Sequence, residues 1–146
     1  MAKGRVLLAH GNADCLKIYG SVLTFGGYTV DIASDGDTAM RLLATIPFDA
    51  VVTDLYLQSD ADECLVRQIR ARNFSAHLPV VVISGWTTDQ HRRVAMTEGA
   101  DAFLPLPLPP RELLDVLDPL LMQPHATPPL LGALSQRQDR TLANGF

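Results

Sequence analysis

Pro79-Val80-Val81-Val82-Ile83-Ser84-Gly85 is the stretch on which the fold turns. Four β-branched residues in a row, opened by a proline and closed by Ser-Gly, favour a strand and offer no polar face. A strand that is apolar on both faces belongs inside a parallel sheet covered by helices on each side. The flanks agree. Residues 61–71 carry Leu65 and Ile69 one helical turn apart, and residues 88–98 read as a helix that Gly99 closes. Helix, buried strand and helix in succession predict α/β architecture.

Working outward, the same alternation covers most of the chain. Ala50-Val51-Val52-Thr53 is a third apolar strand with Asp54 at its carboxyl end, and Ala102-Phe103-Leu104 is a short fifth. Val6-Leu7-Leu8-Ala9 is the first, again continuous and apolar. Tyr28-Thr29-Val30-Asp31-Ile32 alternates in polarity and reads as an outer strand. Leu16, Tyr19, Val22 and Leu23 fall at helical spacing within 13–25, which Gly26-Gly27 stops. Ala39, Leu42, Leu43 and Ile46 form one stripe over 37–46, ended by Pro47. A last helix opens at Arg111 to Leu117 and is disturbed by Pro119. Five strands alternating with five helices imply right-handed crossovers and a parallel sheet. The more polar second strand suits an edge, so the expected order is 2-1-3-4-5, a flavodoxin-like three-layer sandwich. Residues 1–122 are expected to form this domain. Gln123-Pro124-His125-Ala126-Thr127-Pro128-Pro129 is linker-like, and 123–146 is expected to be a flexible C-terminal tail with enough leucine to dock on a partner.

Composition narrows the function classes. The net charge of −4 is spread along the chain, and no basic run points to nucleic acid. No apolar run approaches the roughly 20 residues that span a bilayer. Met1-Ala2-Lys3-Gly4-Arg5 lacks the features of a secretion signal, so a cytoplasmic protein without a membrane or nucleic-acid partner is expected. Cys15 and Cys64 lie far apart with no metal-ligand spacing and read as reduced core thiols. Neither phosphate-binding glycine motif nor G-x-S-x-G elbow is present, so no enzyme signature appears.

Ligands of open α/β sheets sit beyond the carboxyl ends of the strands, where strand order reverses. Those ends here are His10-Gly11-Asn12, Asp54, Ser84-Gly85 and Leu106-Pro107. With Glu98-Gly99-Ala100-Asp101 before the fifth strand, the set resembles the receiver domain of bacterial response regulators over residues 5–121. The resemblance implies that Asp54 is the phosphoacceptor position, Ser84 the hydroxyl position, Phe103 the aromatic switch position and Pro107 the proline after a lysine. It also implies departures at three positions. The acidic pair that holds magnesium in the family falls on His10 and Gly11, and the lysine falls on Leu106.

Each replacement removes a physical task. Gly11 has no side chain for a hard cation that wants oxygen ligands, and His10 offers nitrogen. Leu106 cannot neutralise transferred phosphoryl oxygens, and the only lysines, Lys3 and Lys17, lie near the N-terminus. If each lost electrostatic group costs on the order of 10²–10³ in rate, acceptance at Asp54 should slow by several powers of ten. The expectation is an atypical, stand-alone receiver that acts by protein–protein interaction, not an enzyme, without a cofactor and with magnesium binding weak or absent. The alternative is a phospho-accepting receiver that uses Asp54 despite its degraded metal site. Expected partners are a histidine kinase or downstream effector, or a second copy through the fourth helix, fifth strand and fifth helix.

Several residues carry two readings. Asp54 is either a phosphoacceptor or a strand-end carboxylate bonded to nearby amides. His10 could place an imidazolium against Asp54, or be a hydrogen-bonded histidine at a strand end. Ser84, with Gly85 and Thr87, could bind an anion or simply turn the chain. Phe103 is a core aromatic or a rotamer switch, and Trp86 anchors a partner or packs over Asp54. Arg67, Arg70, Arg92 and Arg93 read as solvated helix faces.

Overall fold

Period-two burial explains how apolar runs become strands with two covered faces. Val6 and Leu8 of β1 (Arg5–Ala9) pack with Tyr19 and Leu23, whereas Leu7 and Ala9 pack with Ala39 and Leu43 on the opposite side. β3 (Ala50–Thr53), β4 (Val80–Ser84) and β5 (Ala102–Pro105) repeat this, with Val80 and Val82 on one face and Val81 and Ile83 on the other. The edge strand β2 (Thr29–Ala33) is the half-exposed one. The computed structural model describes residues 2–57, 59 and 64–122. Residues 123–146, read from the sequence as a tail, lie outside the described residues, as do 60–63 at the expected start of the third helix.

The sheet order is β2-β1-β3-β4-β5 and every pairing is parallel, as the alternation predicts. Helices α1 (Ala13–Phe25) and α5 (Pro110–Met122) cover the Val6/Leu8 face. Helices α2 (Gly36–Thr45), α3 (Leu65–Arg70) and α4 (Asp89–Glu98) cover the other. Side-chain caps start three of them, from Asn12 to the Cys15 amide, Asp35 to Thr38 and Thr88 to His91. α4 ends on Gly99 at φ 114°, a left-handed conformation in which a side chain would be strained. α5 runs further than its sequence suggests. Pro110 starts it, where a missing N–H costs nothing, and it continues through Pro119 to Met122, with Leu120 and Leu121 packed against the same cluster as Leu113, Leu114 and Leu117.

One sequence expectation is corrected here. Arg70 is not on a solvated face. Its guanidinium donates to the carbonyls of Ala76, Leu78 and Gly99 and to Asp101 Oδ2 at 3.0 Å, and Asp101 Oδ2 in turn accepts the Val80 amide at 2.8 Å. Burial pushes the Arg70 guanidinium down from its ordinary value, with Asp101 opposing. Arg92 is exposed as expected, with its guanidinium 5.0 Å from the centre of the Phe103 ring.

Candidate functional site

Strand register builds the site. Ala9 pairs with Thr53, and the Asp54 amide continues the ladder to the Ala9 carbonyl at 3.0 Å. The next residues along, His10 and Asp54, therefore come side by side at the carboxyl end of the sheet. Asp54 Oδ1 accepts the Leu55 amide at 2.8 Å, and its Oδ2 lies 3.7 Å from His10 Nε2. The His10 side chain is 5% exposed and that of Asp54 14%, so a nearly buried imidazole faces a carboxylate that solvent still reaches. His10 Nδ1 accepts the Asn12 amide at 3.2 Å, and His10 Nε2 has no hydrogen-bond partner.

The remaining positions surround this pair. Gly11 has room for a side chain, since a Cβ there would meet only Leu57 Cδ1, at 3.8 Å. Leu106 is half-buried and packs on the cluster beneath α1 and α5, so it contributes apolar volume beside the end of β5. The buried Ser84 hydroxyl oxygen accepts the Trp86 amide at 3.1 Å where the chain turns out of β4. Phe103 points into the core among the residues beneath α2, α3 and α4. Cys15 is a free thiol on the first turn of α1, pushed up first by burial and then by the Asp54 and Asp14 carboxylates. Among the described residues no three His, Cys, Asp or Glu side chains converge as a metal site.

The sequence singled out Trp86 but not its companions. Trp86 is 55% exposed and Tyr56 47%, and with His91 they form a cluster of rings with centroids 5.4–6.3 Å apart. Tyr56 follows Asp54 by two residues, and the Thr88 cap brings His91 round by one turn. The helix over 88–98 was legible as a pattern; the convergence of these rings was not.

The family model of the response regulator receiver domain matches residues 6–118. The chain belongs to this family. Among curated relatives, the sensor histidine kinase TmoS of Ectopseudomonas mendocina is 30% identical over 109 residues, which is 75% of this chain and 11% of that protein. The response regulator MprA of Mycolicibacterium vanbaalenii is 34% identical over 99 residues, 68% of this chain and 42% of that protein. The chain thus spans less than half the length of either relative. Among solved structures, the receiver domain of the sensor histidine kinase PA1611 from Pseudomonas aeruginosa, which holds a magnesium ion in its active-site cleft, superposes with a TM-score of 0.73. It covers 81% of this chain and 97% of its own at 22% identity, a likeness of fold.

Proposed function

We propose that this receiver domain serves two-component signalling through protein contacts, with little or no magnesium-dependent phosphoryl transfer to Asp54. One observation carries this reading. An imidazole is set against Asp54, and Leu106, which the resemblance puts at the family's lysine position, is a half-buried leucine packed against the core. Phosphoryl transfer depends on positioning and on cations that neutralise the transferred oxygens, and neither the acidic pair nor the lysine is here to supply them. Ser84 and Phe103 occupy their receiver positions. In the present arrangement one serves as a turn and the other as core.

On this reading the protein is not an enzyme, carries no resident cofactor and works in the cytoplasm. No helix among the described residues is long and apolar enough to cross a membrane. The partner is a histidine kinase or a downstream effector, in keeping with the kinase and regulator relatives. Trp86 and Tyr56 supply large, rigid, exposed area of the sort that anchors protein contacts. A second copy docking through α4, β5 and α5 is the other expected partner.

A specific observation favours the alternative, a receiver that still accepts phosphate, because Asp54 remains open to solvent. Acetyl phosphate with magnesium separates the two. The intact mass and the Trp86 fluorescence should stay unchanged under conditions that label an ordinary receiver. A stoichiometric phosphoryl adduct lost in Asp54→Asn would establish the phospho-accepting receiver instead.

A further inference from the structure

The magnesium ion of the family does not fit the residues at this site, and the reason extends to other metals. Gly11 gives no ligand and His10 gives nitrogen, which rules against a hard cation. A transition metal is the stronger rival. Its ligand atoms lie about 2.0–2.2 Å away, so an Nε2-to-Oδ2 separation of 3.7 Å is one that two of its ligands could keep.

Polarity excludes it. Histidines that bind metal give the proton on their second nitrogen to a carbonyl or carboxylate, which leaves the first nitrogen with a free lone pair. His10 shows the reverse. Its Nδ1 faces the Asn12 N–H at 3.2 Å and must accept, so the ring proton belongs on Nε2. A protonated Nε2 has no lone pair for a metal. It is instead a donor, buried, unpartnered and facing Asp54 Oδ2. A buried donor without an acceptor is costly, and a modest side-chain shift brings this one into hydrogen-bond range.

We infer that His10 is the positioning residue for Asp54, with its Nε2–H donating to Oδ2 in place of a cation and excluding both magnesium and transition metals. The inference deepens the function proposed above and rests on it, since it explains how Asp54 is held when no metal is bound. It also gives Asn12 a second task. The side chain caps α1 through the Cys15 amide, and the backbone N–H sets the His10 tautomer.

The test reads the wild-type protein directly. Long-range ¹H–¹⁵N correlation spectra distinguish the tautomers of a histidine ring, and His10→Gln identifies which of the four histidines is His10. His10 should show the Nε2-protonated pattern. Asp54→Asn should shift the His10 nitrogen signals and leave those of His77 unmoved, and excess zinc should leave the His10 signals in place. An Nδ1-protonated pattern, or a zinc-induced shift that disappears in Asp54→Asn, would overturn the inference and make the pair a metal site. A phosphoryl adduct in the mass experiment alongside the expected His10 spectrum would sink the proposed function while leaving the His10 assignment intact.

Discussion

Leu106 and Gly11 mark two kinds of replacement at one site. Leu106 is half-buried against the core cluster beneath α1 and α5, so placing a lysine there removes apolar packing. Leu106→Lys should lose about 1–2 kcal/mol, limited because the long side chain can lift its ammonium to solvent. Gly11 lies at an open position, and no steric reason keeps a carboxylate out. Combining His10→Asp, Gly11→Asp and Leu106→Lys should create a saturable magnesium site that depends on Asp54. The cost is lower stability without metal, because three crowded carboxylates repel one another and one lysine offsets only part of that. Calorimetric titration and urea denaturation with and without magnesium read both effects. A folded triple variant that binds no magnesium would show that the strand ends were wrongly matched to the family.

The helices owe their limits to local chemistry that can be tested singly. Asp35 caps α2, and the Thr38 amide, with a smaller contribution from Arg41, holds its carboxyl below the usual carboxylate range. A carboxylate with a lowered folded value contributes stability that is complete above its unfolded value of about 4 and is lost as pH falls through the folded value. Asp35→Asn keeps an oxygen for the Thr38 amide but cannot titrate. Its stability should therefore fall less steeply than wild type between about pH 4 and pH 2, as measured by denaturant unfolding at several pH values. At the other end of α1, Gly26 has an ordinary helical φ of −74°, so its smallness and not its flexibility is what counts. A Cβ there would lie 2.5 Å from Leu114 Cδ2 on α5. Gly26→Ala should cost about 1–3 kcal/mol by overpacking. Gly85→Ala, where a Cβ meets nothing within 4 Å, should stay within about 0.5 kcal/mol.

Across the whole molecule, Arg70 joins parts that are distant in sequence. From α3 it reaches the segment before β4 and the turn between α4 and β5, where Asp101 also takes the Val80 amide. Arg70→Met keeps much of the apolar stem and leaves three carbonyls and a carboxylate without their donor. It should cost about 2–4 kcal/mol, and Arg70→Lys should recover only part because an ammonium cannot span the same acceptors. Urea denaturation of the two variants checks the order; equal stability of Arg70→Met and wild type would refute the clamp. This clamp was invisible in the sequence, where Arg67 and Arg70 look like ordinary helix-surface charges. Strand identity and order were legible, because burial on both faces of a parallel sheet leaves unbroken β-branched runs such as Val80 to Ile83 and a more polar edge at Thr29 to Ala33. So was the gathering of His10, Asp54 and Ser84 at the carboxyl end of the sheet, since this depends only on which residue ends each strand. The sequence left open how near His10 comes to Asp54, which backbone amides bond to His10 and Ser84, and which rings join Trp86. Those were decided by register and by the direction of single N–H groups, because hydrogen-bond polarity at a site is set by neighbours that the fold brings in from other strands and loops.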